Sequence, residues 1–179
     1  MPSLESISSH LSRAELQFLA AADLVSSDQW KTCPGEGRWS AGELVCHLIT
    51  VERFIIHRAS KLLQKLPTPR PFLTRFHLPM LLVEARFIPR KTPIPLDLAL
   101  VLAKDAMLAQ LREVRAGTLV FMKETAGKDL SKYHMPHPFL GTLNMYEWFQ
   151  MIASHQIRHT KQLKEIAAAL PKTVTTLHK

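Results

Sequence analysis

The chain has 179 residues, 46% of them hydrophobic and 21% charged, ordinary proportions for one globular unit able to bury a real core. Its net charge of +8 favours anions in general, but the basic residues are dispersed and no zinc-finger, helix-turn-helix or RNA-binding aromatic motif accompanies them, which weighs against nucleic-acid binding. With 6 glycines, few β-branched runs and no uninterrupted apolar window near 20 residues, neither an all-β fold nor a membrane span is expected.

The first residues, MPSLESISSHLSRAEL, have neither the basic nor the apolar region of a secretory signal, so a cytoplasmic location is the default. Leu4, Ile7, Leu11, Ala14, Phe18, Ala21, Ala22 and Val25 recur at three- and four-residue steps, which predicts a helix over residues 3–26. The stretch SSDQWKTCPGEGRWS then reads as a loop. Ser40 opens S-A-G-E, a capping box with Glu43, and Trp39 and Leu44 have the spacing of a hydrophobic staple. A second helix follows with the stripe Leu44, His47, Leu48, Val51, Ile55 and Leu62, which puts His47 on its core face. Cys33 and Cys46 are too few for a disulfide framework and read as structural thiols.

Prolines at 67, 69, 71, 79, 89, 93 and 95 predict an insertion rather than a long helix. A third helix is expected from about Leu96 to Glu124, with Leu98, Leu102, Leu108, Leu111, Val114 or Arg115, Leu119 and Met122 as its stripe. Residues 126–141 read as a loop, Thr142 as the cap of a last helix, and Pro171 as the mark of its end. The inner stripe of that helix contains Met145, Trp148, Ile152, His155, His159 and Ile166. No repeat or composition break divides the chain, so residues 1–179 are expected to form a single all-α domain, a four-helix bundle with a proline-rich insertion between its second and third long helices.

His155 and His159 stand i, i+4 on one helix face and can grip a single ion. In a chain with 9 histidines such a pair also arises by accident of spacing. His47 on a second apolar stripe brings the metal reading level with that one, because buried imidazoles need partners. Three nitrogens leave coordination positions open, the pattern of a catalytic rather than a structural site. The run His155-Gln156-Ile157-Arg158-His159 lacks the glutamate of the zinc-peptidase H-E-x-x-H helix, and glutamine is no base, so peptidase chemistry of that type is disfavoured. Glu52 and Glu147 are candidates for outer-shell partners or for a solvated surface, and His134 and His137 for outer-shell groups or groups facing a substrate. No residue is assigned as a catalytic acid or base.

Three linked signatures give the chain a resemblance. W-S-x-x-E-x-x-x-H-L-x-x-x-E (Trp39 to Glu52), H-P-x-x-G-x-L-x-x-x-E-W (His137 to Trp148) and H-x-x-R-H-x-x-Q-L (His155 to Leu163) resemble the DinB/YfiT-like superfamily over essentially the whole chain. The resemblance implies a four-helix bundle that binds a divalent metal, zinc or nickel, through the positions here occupied by His47, His155 and His159. It implies a metal-dependent hydrolase, or a transferase using a low-molecular-weight thiol, acting on a small-molecule substrate and assembled as a homodimer. Arg70, Arg75, Arg86 and Arg90 are then candidates to hold a carboxylate-bearing cosubstrate. The alternative is a non-catalytic metal-binding or dimerising helical module.

Overall fold

The structure is a computed structural model that describes residues 3–67 and 97–171. The proline-rich segment 67–95, with its four arginines, falls almost wholly outside the described residues. Four long helices account for most of the rest: α1 (Leu4–Ala22), α2 (Ala41–Leu63), α3 (Lys104–Glu124) and α4 (Met145–Ala169). The all-α four-helix bundle expected from the periodicity is the fold observed.

Local chemistry fixes where the helices begin. The Ser3 hydroxyl accepts from Ser6 N and caps α1. At α2 the capping box forms as the sequence predicts, with Glu43 N donating to Ser40 Oγ at 3.2 Å and Ser40 N to Glu43 Oε2 at 2.7 Å. Helix α1 stops at Ala22, earlier than the apolar stripe suggests, and single-turn hydrogen bonds carry the chain to Val25. Helix α3 starts at Lys104, well after Leu96. Asp97 Oδ1 accepts from Ala99 N, a local bond that competes with helix entry. A 3-10 turn (Leu98–Leu100) occupies that stretch, so Val101 is buried while Leu102 is exposed.

Residues 126–141 are not a plain loop. His134–His137 (β1) and Gly141–Asn144 (β2) pair as an antiparallel hairpin, with Met135 opposite Leu143 and both side chains buried. Thr142 lies inside β2. The cap of α4 is instead Asn144, whose Oδ1 accepts from Glu147 N at 3.0 Å while Glu147 Oε2 accepts from Asn144 N at 2.7 Å. That box gives Glu147 a capping role at the start of α4.

The core is built in two apolar halves. One gathers Phe18, Trp30, Leu44, Leu48, Leu111 and Ile166; the other gathers Ile7, Leu11, Ile55, Met122, Leu143 and Phe149. Helices α2 and α3 both pass from the first half to the second, whereas α1 and α4 run the opposite way. Parallel neighbours such as α2 and α3 cannot be joined by a tight turn, because the end of α2 and the start of α3 lie in opposite halves of the bundle.

Between the two halves lies a polar layer. Arg115 Nε and Nη2 each donate to the Glu52 carboxylate at 2.9 Å, Nη1 donates to the Leu11 carbonyl at 2.7 Å, and Thr118 Oγ1 donates to Glu52 Oε1 at 2.7 Å. Arg115 and Glu52 are both buried. The stripe of α3 thus turns on Arg115, not Val114, and Glu52 is buried rather than solvated. It is one arm of a bidentate ion pair that ties α1, α2 and α3 together.

Candidate metal centre

His47 arises nearly two turns into α2, where the capping box and the hydrogen bond from Gly42 N to Trp30 O (2.9 Å) set the helix start. His155 and His159 stand one turn apart on α4, at the level where its apolar stripe crosses the polar layer. His47 and His159 are buried, and His155 keeps partial exposure. The structure brings all three sequence-predicted histidines together. Their candidate ligand atoms lie within 4.8 Å of one another, and among the described residues the group consists of these three side chains.

The nitrogens turned inward are the Nε2 atoms: His155 Nε2 is 3.3 Å from His47 Nε2 and 3.0 Å from His159 Nε2. Imidazoles at about 2.0–2.1 Å from one ion stand roughly 3.3 Å apart when tetrahedral and roughly 2.9 Å apart when octahedral neighbours. Both spacings from His155 fall within that range, and all three ligand atoms lie within 4.8 Å of one another, so the donor set fits a single divalent ion.

Protonation favours the same role. Burial pushes the His47 pKa down to about 4. Burial also holds His155 well below the ordinary imidazole range, and the adjacent His159, His47, Arg158 and His137 add to the effect. Both rings are therefore neutral at pH 7, with a lone pair to offer. His159 Nδ1 lies 3.0 Å from Gln162 Oε1. An amide oxygen only accepts, so Nδ1 carries the proton and Nε2 presents its lone pair.

Aromatic and hairpin groups frame the cluster. The Trp39 ring lies 4.9 Å from that of His47. His137 Nδ1 accepts from the backbone N–H groups of Phe139 and Leu140 at 3.1 Å, and its ring packs 5.3 Å from Trp148. Trp148 Nε1 in turn donates to the Met135 carbonyl, anchoring the hairpin to α4. Gln162 stands in the H-x-x-R-H-x-x-Q-L signature, where the sequence assigns it no role, and its place three residues after His159 puts it on the same helix face.

A helical bundle with three imidazoles converging at mid-height belongs to the class of α proteins that build ion sites from facing helices. The DinB superfamily signature matches residues 10–163, and the chain belongs to that superfamily. It is similar to the uncharacterised protein YuaE of Bacillus subtilis (strain 168), 25% identical over 143 residues that cover 79% of this chain and 85% of YuaE. Its fold is similar to that of YfiT from Bacillus subtilis, described as a probable metal-dependent hydrolase with an unusual four-helix bundle topology. The likeness has a TM-score of 0.61 at 15% identity and covers 92% of this chain and 86% of YfiT.

Proposed function

We propose that the protein is a metal-dependent enzyme, a hydrolase or a thiol-dependent transferase, whose ion is held by His47, His155 and His159. The observation that carries this reading is the convergence of three Nε2 atoms, those of His47 and His159 lying 3.3 and 3.0 Å from that of His155. Three protein ligands are the pattern of sites that keep a position for a reactant, whereas structural sites use four. Zinc or nickel suits an all-imidazole donor set. Such an ion supplies Lewis acidity, lowering the pKa of a coordinated water or thiol so that a nucleophile exists at neutral pH.

The chain's own residues do the rest. Burial keeps His47 and His155 unprotonated, Gln162 fixes the tautomer of His159, and Trp39 covers His47 on the side of the α1–α2 connection. The partial exposure of His155 is the route by which a small molecule reaches the centre. The likeness in fold to YfiT supports the hydrolase branch, and a low-molecular-weight thiol is the cosubstrate of the transferase branch. Assembly as a homodimer in the cytoplasm completes the proposal.

Protein purified without a nickel column should carry about one divalent ion per chain by elemental analysis, and His47→Ala should abolish it. Cobalt-substituted protein should then change its visible spectrum when a small thiol or azide is added. A spectrum indifferent to both additions would mean a closed site and a non-catalytic metal protein. Full metal content in His47→Ala would refute the three-histidine assignment.

A further inference from the structure

One polar side chain in the middle layer takes no part in the centre as described. Gln156 is 1% exposed, and among the described residues no protein group hydrogen-bonds its Oε1 or its Nε2. A buried polar group left without a partner costs about 1–3 kcal/mol, and cores satisfy such groups with protein or with ordered water. Gln156 borders a hollow of about 10 Å³ between α2 and α4, walled by Leu48, Val51, Ile152 and three polar residues: Glu52, His155 and Gln156 itself. That is about the room one water requires, and a buried water wants two to four polar partners.

Each polar wall has something to give. The Glu52 carboxylate accepts three hydrogen bonds, two at Oε1 and one at Oε2. With roughly four acceptor sites on a carboxylate, it retains capacity for one more donor. His155 faces its two fellow histidines through Nε2, so its Nδ1 lies on the far side of the ring, and no protein group hydrogen-bonds it among the described residues. The Gln156 amide offers both a donor and an acceptor.

We infer that this hollow is a binding site for a single ordered water, which accepts from His155 Nδ1–H, donates to Glu52 and is held in register by the Gln156 amide. The water gives His155 what Gln162 gives His159, an acceptor for the outer ring N–H that leaves Nε2 free as a ligand. It also joins His155 to the buried Arg115–Glu52 pair, which makes Gln156 a positioning residue for the metal centre. Outer partners of ligating histidines of this kind are worth about 10–100-fold in metal affinity. This last consequence rests on the metal reading; the water site does not.

The test has two independent parts. A high-resolution crystal structure of the metal-free protein should show one well-ordered water within hydrogen-bond reach of Glu52, His155 and Gln156; continuous density without it overturns the inference. Gln156→Met preserves length and apolar contact, so its metal-free melting temperature should equal or exceed that of the wild type, while Co2+ should bind about 10-fold more weakly. Wild-type Co2+ affinity in Gln156→Met means that Gln156 positions nothing and overturns that half of the inference. If the wild type itself takes no Co2+, the metal reading falls, and the density alone then decides the water. The same density decides it if the methionine variant fails to fold.

Discussion

At the scale of single residues, the centre depends on imidazoles that stay uncharged. His47 has a pKa of about 4 in the fold against an ordinary 6.5, because burial disfavours the cation. The unfolded chain therefore binds a proton between those two values that the folded metal-free protein does not. Stability contributed by keeping His47 neutral is intact above about pH 7, is lost as the pH falls through 6.5, and stops falling near pH 4. His155 is displaced in the same direction and steepens the loss. From His47 alone, metal-free protein should lose about 2 kcal/mol of unfolding free energy between pH 7 and pH 5. Urea titrations at the two values measure this directly. His47→Leu, which cannot take the proton, should lose correspondingly less, and identical pH slopes for the two proteins would contradict the assignment.

At the scale of elements, close packing at the start of α2 aims His47. A Cβ at Gly42 would lie 2.7 Å from Val101 Cγ1 and 3.0 Å from Trp30 Nε1, both on buried side chains. Valine is stiff at χ1 and the indole is walled in, so neither yields easily. Gly42→Ala should destabilise by roughly 1–2 kcal/mol, the overpacking cost exceeding the gain in helix propensity. Gly117, exposed on α3 with nothing within 4 Å of its would-be Cβ, is the control. Gly117→Ala should raise stability by about 0.5–1 kcal/mol. Thermal melts of the two variants should move in opposite directions; a shared sign would show that Gly42 is not a contact point. Much of this level was legible in the sequence. Apolar stripes and the Ser40–Glu43 box announced α1, α2 and α4, and stripe position brought out His47, His155 and His159. The hairpin escaped because each strand spans four residues and one contains Pro136, too short for a period-2 signal. Asn144 escaped because Thr142 is an equally good cap by residue type. The burial of Arg115, offered only as an alternative to Val114, and of Glu52 and Gln156 was not settled by the sequence for a deeper reason. Residue type assigns charge and amides to the surface, and only three-dimensional packing reveals the partner that lets them stay inside.

At the scale of the whole molecule, the position of the centre has a mechanical meaning. Helix α1 packs chiefly on α4 and α2 on α3, whereas α2 and α4 share a smaller contact. The bundle is thus two pairs of parallel helices, and the three histidines lie where the pairs meet, His47 on one and His155 and His159 on the other. The Arg115 network fastens α1 to α2 and α3 within the same layer. An ion at the histidines would add the missing clamp between α2 and α4. Because the unfolded chain holds no such geometry, binding to the folded state alone contributes about 2.7 kcal/mol when the free ion stands at 100 times its Kd. For a chain of this size that corresponds to a rise in melting temperature of roughly 5–10 °C. Both apolar halves draw on all four helices, so a single cooperative transition is expected with or without the ion. Calorimetry with and without Zn2+ measures both features, and His47→Ala, which removes the only ligand on α2, should abolish the shift while leaving one transition. A shift that survives the loss of His47 would place the ion elsewhere, and two separate transitions would mean that the helix pairs fold as independent units.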